Sequence, residues 1–77
     1  MSIRHDHEDD RIKMTLDKRG YYYHVNGYAR ASKRHAWRHV LVEHIHISYL
    51  AAVNEFNDHG AVVYAYQAQV SVLTEAA

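Results

Sequence analysis

The chain has no cysteine and no proline, and only three glycines, Gly20, Gly27 and Gly60. Without cysteine there is no disulfide, no thiolate zinc site and no cysteine nucleophile, a composition that fits a reducing compartment. Three scattered glycines cannot build a glycine-rich phosphate loop, and without proline there is no stiff linker. No segment approaches the ~18 consecutive apolar residues of a membrane span. Residues 1–10 hold no apolar run of the kind that makes a signal peptide, so the sequence reads as cytoplasmic. None of the few Ser and Thr residues sits in a nucleophile-elbow context. The hairpin-then-histidine pattern of a metal-dependent nuclease also lacks its downstream His and Asn ligands. The expectation is a protein that is not an enzyme, with no cofactor, no small-molecule substrate and no membrane partner.

What is present is a segregation of charge beneath a net charge of zero. Residues 1–10 set Arg4 against Asp6, Glu8, Asp9 and Asp10. Residues 11–38 carry Arg11, Lys13, Lys18, Arg19, Arg30, Lys33, Arg34 and Arg38 against Asp17 alone. Residues 39–77 contain no Lys or Arg and four acids, Glu43, Glu55, Asp58 and Glu75. Asymmetry of this kind speaks about partners rather than fold. At 77 residues the chain makes one domain with a marginal core, which dimerisation or a larger target would supplement.

Residues 1–10 offer little to bury and read as a mobile acidic and histidine-bearing tail ahead of a single domain over 11–77. Ile12, Met14 and Leu16 alternate with Lys13 and Thr15, the period of a half-buried strand. The run 17–20 supplies a turn in which Gly20 takes positive φ, and 21–25 is strand-prone. Asn26-Gly27 carries a hairpin signal. Tyr28 to Ala31 is then a brief third strand, or the second strand runs on past a bulge at Gly27. Ser32 can cap a helix over about 33–56, with Trp37, Leu41, Ile45, Ser48, Ala52 and Phe56 as its buried stripe and Gly60 beyond its end. Val62, Tyr64, Tyr66, Ala68, Val70 and Val72 alternate with Gln67, Gln69 and Ser71, which predicts a strand over 61–73. The expected fold is α+β: a small antiparallel sheet in the order β-β-(β)-α-β, with one long helix across one face. The helix stripe is wider than such a sheet covers, and a second copy covering the remainder predicts a homodimer.

Between Lys18 and Arg38 the cations interleave with Tyr21, Tyr22, Tyr23, Tyr28 and Trp37. Cations neutralise phosphates and release counterions, and aromatic faces stack on unpaired bases. Lys33, Arg34 and Arg38 would crowd the first turns of the predicted helix, costing ~0.3–1 kcal/mol each there unless an anion is bound. The candidate surface is Lys18, Arg19, Arg30, Lys33, Arg34 and Arg38 with Tyr22 and Tyr28, facing an anionic partner. Ser32-Lys33-Arg34-His35-Ala36, after a hairpin and opening a helix, resembles the second-helix start of double-stranded-RNA-binding domains. That resemblance implies phosphate contacts for Lys33 and Arg34. The chain lacks that family's first helix and carries an extra C-terminal strand, so the likeness is a shared ββα shape.

Eight histidines stand out. On the predicted helix His35, His39, Glu43 and His46 fall on one stripe, where neutral imidazoles four apart could share a zinc ion. The alternative is a narrow polar face filled with histidine, and no known zinc spacing matches. His5 and His7, among acids in the tail, make at most a weak site, and His44 reads as a satisfied core or interface histidine. Three functions follow in order: a non-catalytic module that binds nucleic acid through 11–38, a protein-binding inhibitor or adaptor of phage or mobile-element type acting on a host complex, and a histidine-based metal protein.

Overall fold

The computed structural model describes residues 3–76, and their side chains through Val70. Four strands, β1 (Arg4–Glu8), β2 (Ile12–Arg19), β3 (Tyr22–Ala29) and β4 (Arg38–His46), form an antiparallel meander in sequence order. Two helices, α1 (Tyr49–Asn57) and α2 (His59–Ala76), follow and cover one face of the sheet. The fold is therefore α+β with a small antiparallel sheet, in the order ββββαα rather than β-β-(β)-α-β.

β2 follows its alternation: Met14 and Leu16 are fully buried, and the hairpin to β3 pairs Ile12 with Ala29 through Arg19 with Tyr22. It turns over Gly20 and Tyr21, with Gly20 at φ +63°, a left-handed value that glycine adopts without cost. β3 then runs straight through Asn26-Gly27, so this pair marks no turn and the continuous-strand alternative holds. The core joins Met14, Leu16, Val25, Ala29, Val40 and Leu41 of the sheet to Ala52 of α1 and Val62 of α2.

Three expected elements are corrected. Residues 4–8 are not a tail but strand β1, paired with β2 from Arg4–Asp17 to Glu8–Lys13; residues 1 and 2 lie outside the described residues. Its alternate side chains find partners in the helices: His5 Nε2 lies 3.0 Å from the Tyr49 hydroxyl, and His7 stacks on His59 at 4.1 Å. The helix over 33–56 is instead a loop, β4 and then α1. The β-branched Val40, Val42, Ile45 and Ile47 favour a pleated surface over a helix, and the N-cap is Ser48, whose hydroxyl accepts from the Ala51 N–H. The wide helical stripe invoked for a second copy therefore does not exist. Leu41 and Ala52 of that stripe are buried, whereas Ile45 is exposed on the sheet. Finally, the strand over 61–73 is helix α2, begun one residue after the α1 cap Asp58, so Gly60 lies inside a helix rather than ending one. Its alternation of Val62, Tyr66 and Val70 also satisfies a four-residue repeat, and its alanines and glutamines favour helix. The side chains of Ser71 and Val72 lie outside the described ones.

Candidate functional site

With the helices on one face, the other face of the sheet is open. Lys13, Thr15, Asp17, Arg19, Asn26 and Tyr28 line a shallow polar concavity there, closed on one side by Glu43. β4 bulges at this point: its register slips between Val25 and Gly27 and again between Gly27 and Tyr28, and Glu43 takes φ +50°. Asn26, buried on β3, holds the bulge. Its Oδ1 accepts the Glu43 N–H at 2.9 Å and the His39 Nε2–H at 2.7 Å.

The hairpin register splits the basic stretch in two. Lys18, Arg19 and Tyr22 stand at the β2–β3 turn, whereas Tyr28, Arg30 and Arg38 stand at the opposite end of the strands. Seven residue steps at ~3.3 Å separate them, about 23 Å. At the turn end Arg19 is neutralised: its Nε is 2.7 Å from Asp17 and a terminal nitrogen 4.0 Å from Glu43. Lys18 faces the helix side and lies over the Tyr23 ring at 5.7 Å. The eight candidate residues therefore do not form one patch.

The other end does. Arg11 and Lys13 of the β1–β2 side join Arg30, Lys33, Arg34 and Arg38, brought together by the Arg30 N–H donating to the Arg11 carbonyl at 3.0 Å. Lys33 and Arg34 lie in the loop between β3 and β4, not at a helix N-terminus, so the likeness to a double-stranded-RNA-binding helix start does not survive. A tight turn holds that loop, with Ser32 Oγ 2.8 Å from His35 Nδ1 and accepting from the Arg34 N–H. Aromatic rings set the cations in place: Arg30 lies 4.0 Å from the Trp37 ring centre, and Lys13 4.9 Å from that of Tyr28. Tyr28 in turn stacks on His39 at 4.4 Å. Cation–ring contacts of this kind, between partly buried groups, are worth about 0.5–2 kcal/mol and fix charges that would otherwise wander. Among the described residues only Lys33 of these six cations has a carboxylate at ion-pair distance, Asp10 at 3.6 Å. Asp9 is occupied elsewhere, accepting the Arg11 and Ile12 N–H groups, which hold its carboxyl below the usual range.

Arg11, Lys13 and Trp37 are the members that sequence reasoning left out of the site. Arg11 and Lys13 follow from the register: a turn centred on Gly20-Tyr21 puts Lys13 opposite Tyr28 and Arg11 beside Arg30. Trp37 carries no such signal, because its position depends on the loop.

The histidine stripe is dispersed. His35 is bound to Ser32 in the loop, His39 to Asn26 on the open face, and His46 to Glu55 on the helix side, while Glu43 accepts from His24 Nδ1 at 2.7 Å. Among the described residues no group of three His, Asp or Glu can hold a metal ion. His44 has its partner in Glu55, which it meets at 2.9 Å, with His46 on the other carboxylate oxygen at 3.0 Å, but its side chain is 43% exposed and so is not a core histidine.

Partial burial pushes the Glu55 carboxyl up, but the hydrogen bonds and charges of His44 and His46 outweigh this and leave it below its ordinary value of 4.5. A carboxylate depressed on folding adds stability that is complete above its unfolded value and lost as pH falls through the folded one. Glu55→Gln should therefore cost about 1 kcal/mol at neutral pH. Thermal melts should show that difference shrinking below pH 4.5. A difference independent of pH would contradict the assignment.

No family model, curated protein or solved structure matches this chain. Among the described residues no helix is long and apolar enough to cross a membrane.

Proposed function

We propose that the protein is a non-catalytic module that binds nucleic acid through the basic end of its sheet, formed by Arg11, Lys13, Arg30, Lys33, Arg34 and Arg38. One observation carries this reading: six cations stand at one end of the sheet and in its adjoining loop, Lys13 and Arg30 against the Tyr28 and Trp37 rings, and five of the six have no carboxylate at ion-pair distance among the described residues. A solvated structural face would scatter its charges among acids, as the turn end does around Arg19. Unpaired cations held on rings suit phosphates, whose neutralisation releases counterions and supplies most of the affinity.

Fluorescence anisotropy with labelled oligonucleotides tests this. Affinity should fall steeply between about 50 and 200 mM salt. Lys33→Glu with Arg34→Glu should weaken binding at least tenfold and flatten the salt dependence. Unchanged affinity in that double variant overturns the reading.

A second reading, a protein-binding adaptor, draws on the outer strand. β1 guards its edge with Arg4, Asp6 and Glu8, whereas β4 exposes Val42 and Ile45, with Ile47 and Leu50 exposed just beyond. An apolar sheet edge invites another chain, whether a second copy or a different protein. A partner retained from lysate after nuclease treatment, and lost on Val42→Lys, would favour it.

A further inference from the structure

We propose that the cleft beside the basic end receives one unpaired nucleotide of a single strand. This rests on the nucleic-acid reading above and sharpens it. The cleft, about 450 Å³, lies between the Arg11 end of β2, the Arg30 end of β3 and helix α2. That size is within the roughly 300–1,000 Å³ of small-ligand sites. Its wall is apolar, from Ile12 and Val63, and carries one ring, Tyr66, with the Gln67 amide exposed at the rim.

Two arginines, Arg11 and Arg30, complete the lining. Arg30 is fixed: its Nε donates to the Asp10 carbonyl at 2.8 Å and its guanidinium lies 4.0 Å from the Trp37 ring centre. Its terminal nitrogens have no hydrogen-bond partner among the described residues, and the Arg11 side chain has none either. An apolar cleft with an aromatic residue in its wall, an amide at its edge and two arginines without a carboxylate partner suits a base joined to a phosphate. Bases stack on such rings irrespective of sequence, and an amide can bond a base edge. Lys33, in the loop that follows Arg30, reaches Asp10 beside Arg11 at 3.6 Å, so further cationic surface adjoins the cleft, which favours a strand over a free nucleotide. A base within a duplex has both faces stacked and its pairing edge occupied, so it cannot enter.

The test compares a labelled single strand of about 12 nucleotides, its duplex and a mononucleotide, on the full chain. The single strand should bind at least tenfold more tightly than the duplex, and the mononucleotide far more weakly than either. Tyr66→Ala should weaken single-strand binding roughly 5- to 100-fold, the range of one lost base–ring stack. Tyr66 also packs against the core, so Gln67→Glu serves as a second variant. It sets a carboxylate at the exposed rim and should lower single-strand affinity severalfold while leaving duplex affinity and melting temperature unchanged. Equal affinity for strand and duplex, or single-strand binding indifferent to Gln67→Glu, overturns the cleft while the basic-end reading stands. A mononucleotide bound as tightly as the strand overturns the strand assignment. Failure of every nucleic acid to bind overturns both readings together.

Discussion

Gly27→Ala should destabilise the protein by about 1–3 kcal/mol, the cost of overpacking a filled core. A Cβ at Gly27 would stand 2.7 Å from Val62 Cγ2 and 3.1 Å from Leu41 Cβ and Cδ1. Val62 is fully buried on α2, and a β-branched side chain in a helix has essentially one rotamer, so it cannot turn aside. Leu41 is held just as firmly on the neighbouring strand. Two gains oppose the clash: alanine is the better strand residue, and it narrows the unfolded ensemble by roughly 0.4–1 kcal/mol. An approach of 2.7 Å is too close for those gains to win. The loss corresponds to a fall in melting temperature of roughly 4–8 °C per kcal/mol for a domain of this size. Because the two side chains compete for one space, Gly27→Ala with Val62→Ala should cost less than the sum of the single variants, by about 1 kcal/mol. A Gly27→Ala protein as stable as the parent would show that α2 does not sit on β3 as described.

The same glycine explains much of what the sequence left illegible. Asn-Gly reads as a hairpin turn because both residues tolerate positive φ. Here the residues serve other ends, asparagine for its amide and glycine for the space it leaves under Val62. Nothing in the local pattern distinguishes these uses, since each depends on β4 and α2, which are distant in sequence. β2 was legible because its alternation is strict and one face meets the core. Positive φ at Gly20 was legible, but the extent of the turn was not: β2 runs on through 17–19 to Arg19, and the turn is Gly20-Tyr21 rather than 17–20.

β4 was not legible, for a physical reason. Its bulge breaks the period of two, so Val40 and Leu41 are both buried and the spacing mimics a helical stripe. β1 was hidden by composition, since Arg4, Asp6 and Glu8 lie on the open face and two histidines occupy the helix side. For the site, the cations themselves were visible, but their grouping depends on strand register. The register removed Lys18, Arg19 and Tyr22 and brought in Arg11 and Lys13. Charge located the stretch, and only pairing could locate the surface.

Asn26→Ala is expected to be the other costly substitution, at about 1–3 kcal/mol, because it removes two hydrogen bonds made by a buried amide, each worth about 0.5–1.5 kcal/mol. Asn26 is only 4% exposed, and its Oδ1 is the acceptor for both the Glu43 N–H and His39 Nε2. Without it the Glu43 N–H faces the interior of the bulge with no partner in place. Glu43 also occupies a left-handed backbone conformation that costs a non-glycine residue roughly 1–2 kcal/mol, and the amide is what compensates. Glu43→Gly in the Asn26→Ala background should therefore recover part of the loss by removing that strain. Glu43→Ala in the same background should recover none. The effect should also reach the basic end. His39, released from Asn26, no longer braces the Tyr28 ring beneath Lys13, so Asn26→Ala should weaken oligonucleotide binding severalfold, less than reversing Lys33 and Arg34. Chemical denaturation and anisotropy on the same variants separate the two consequences. If binding is unchanged while stability falls, the bulge supports the sheet alone and the Tyr28–Lys13 layer is positioned from the Trp37 side.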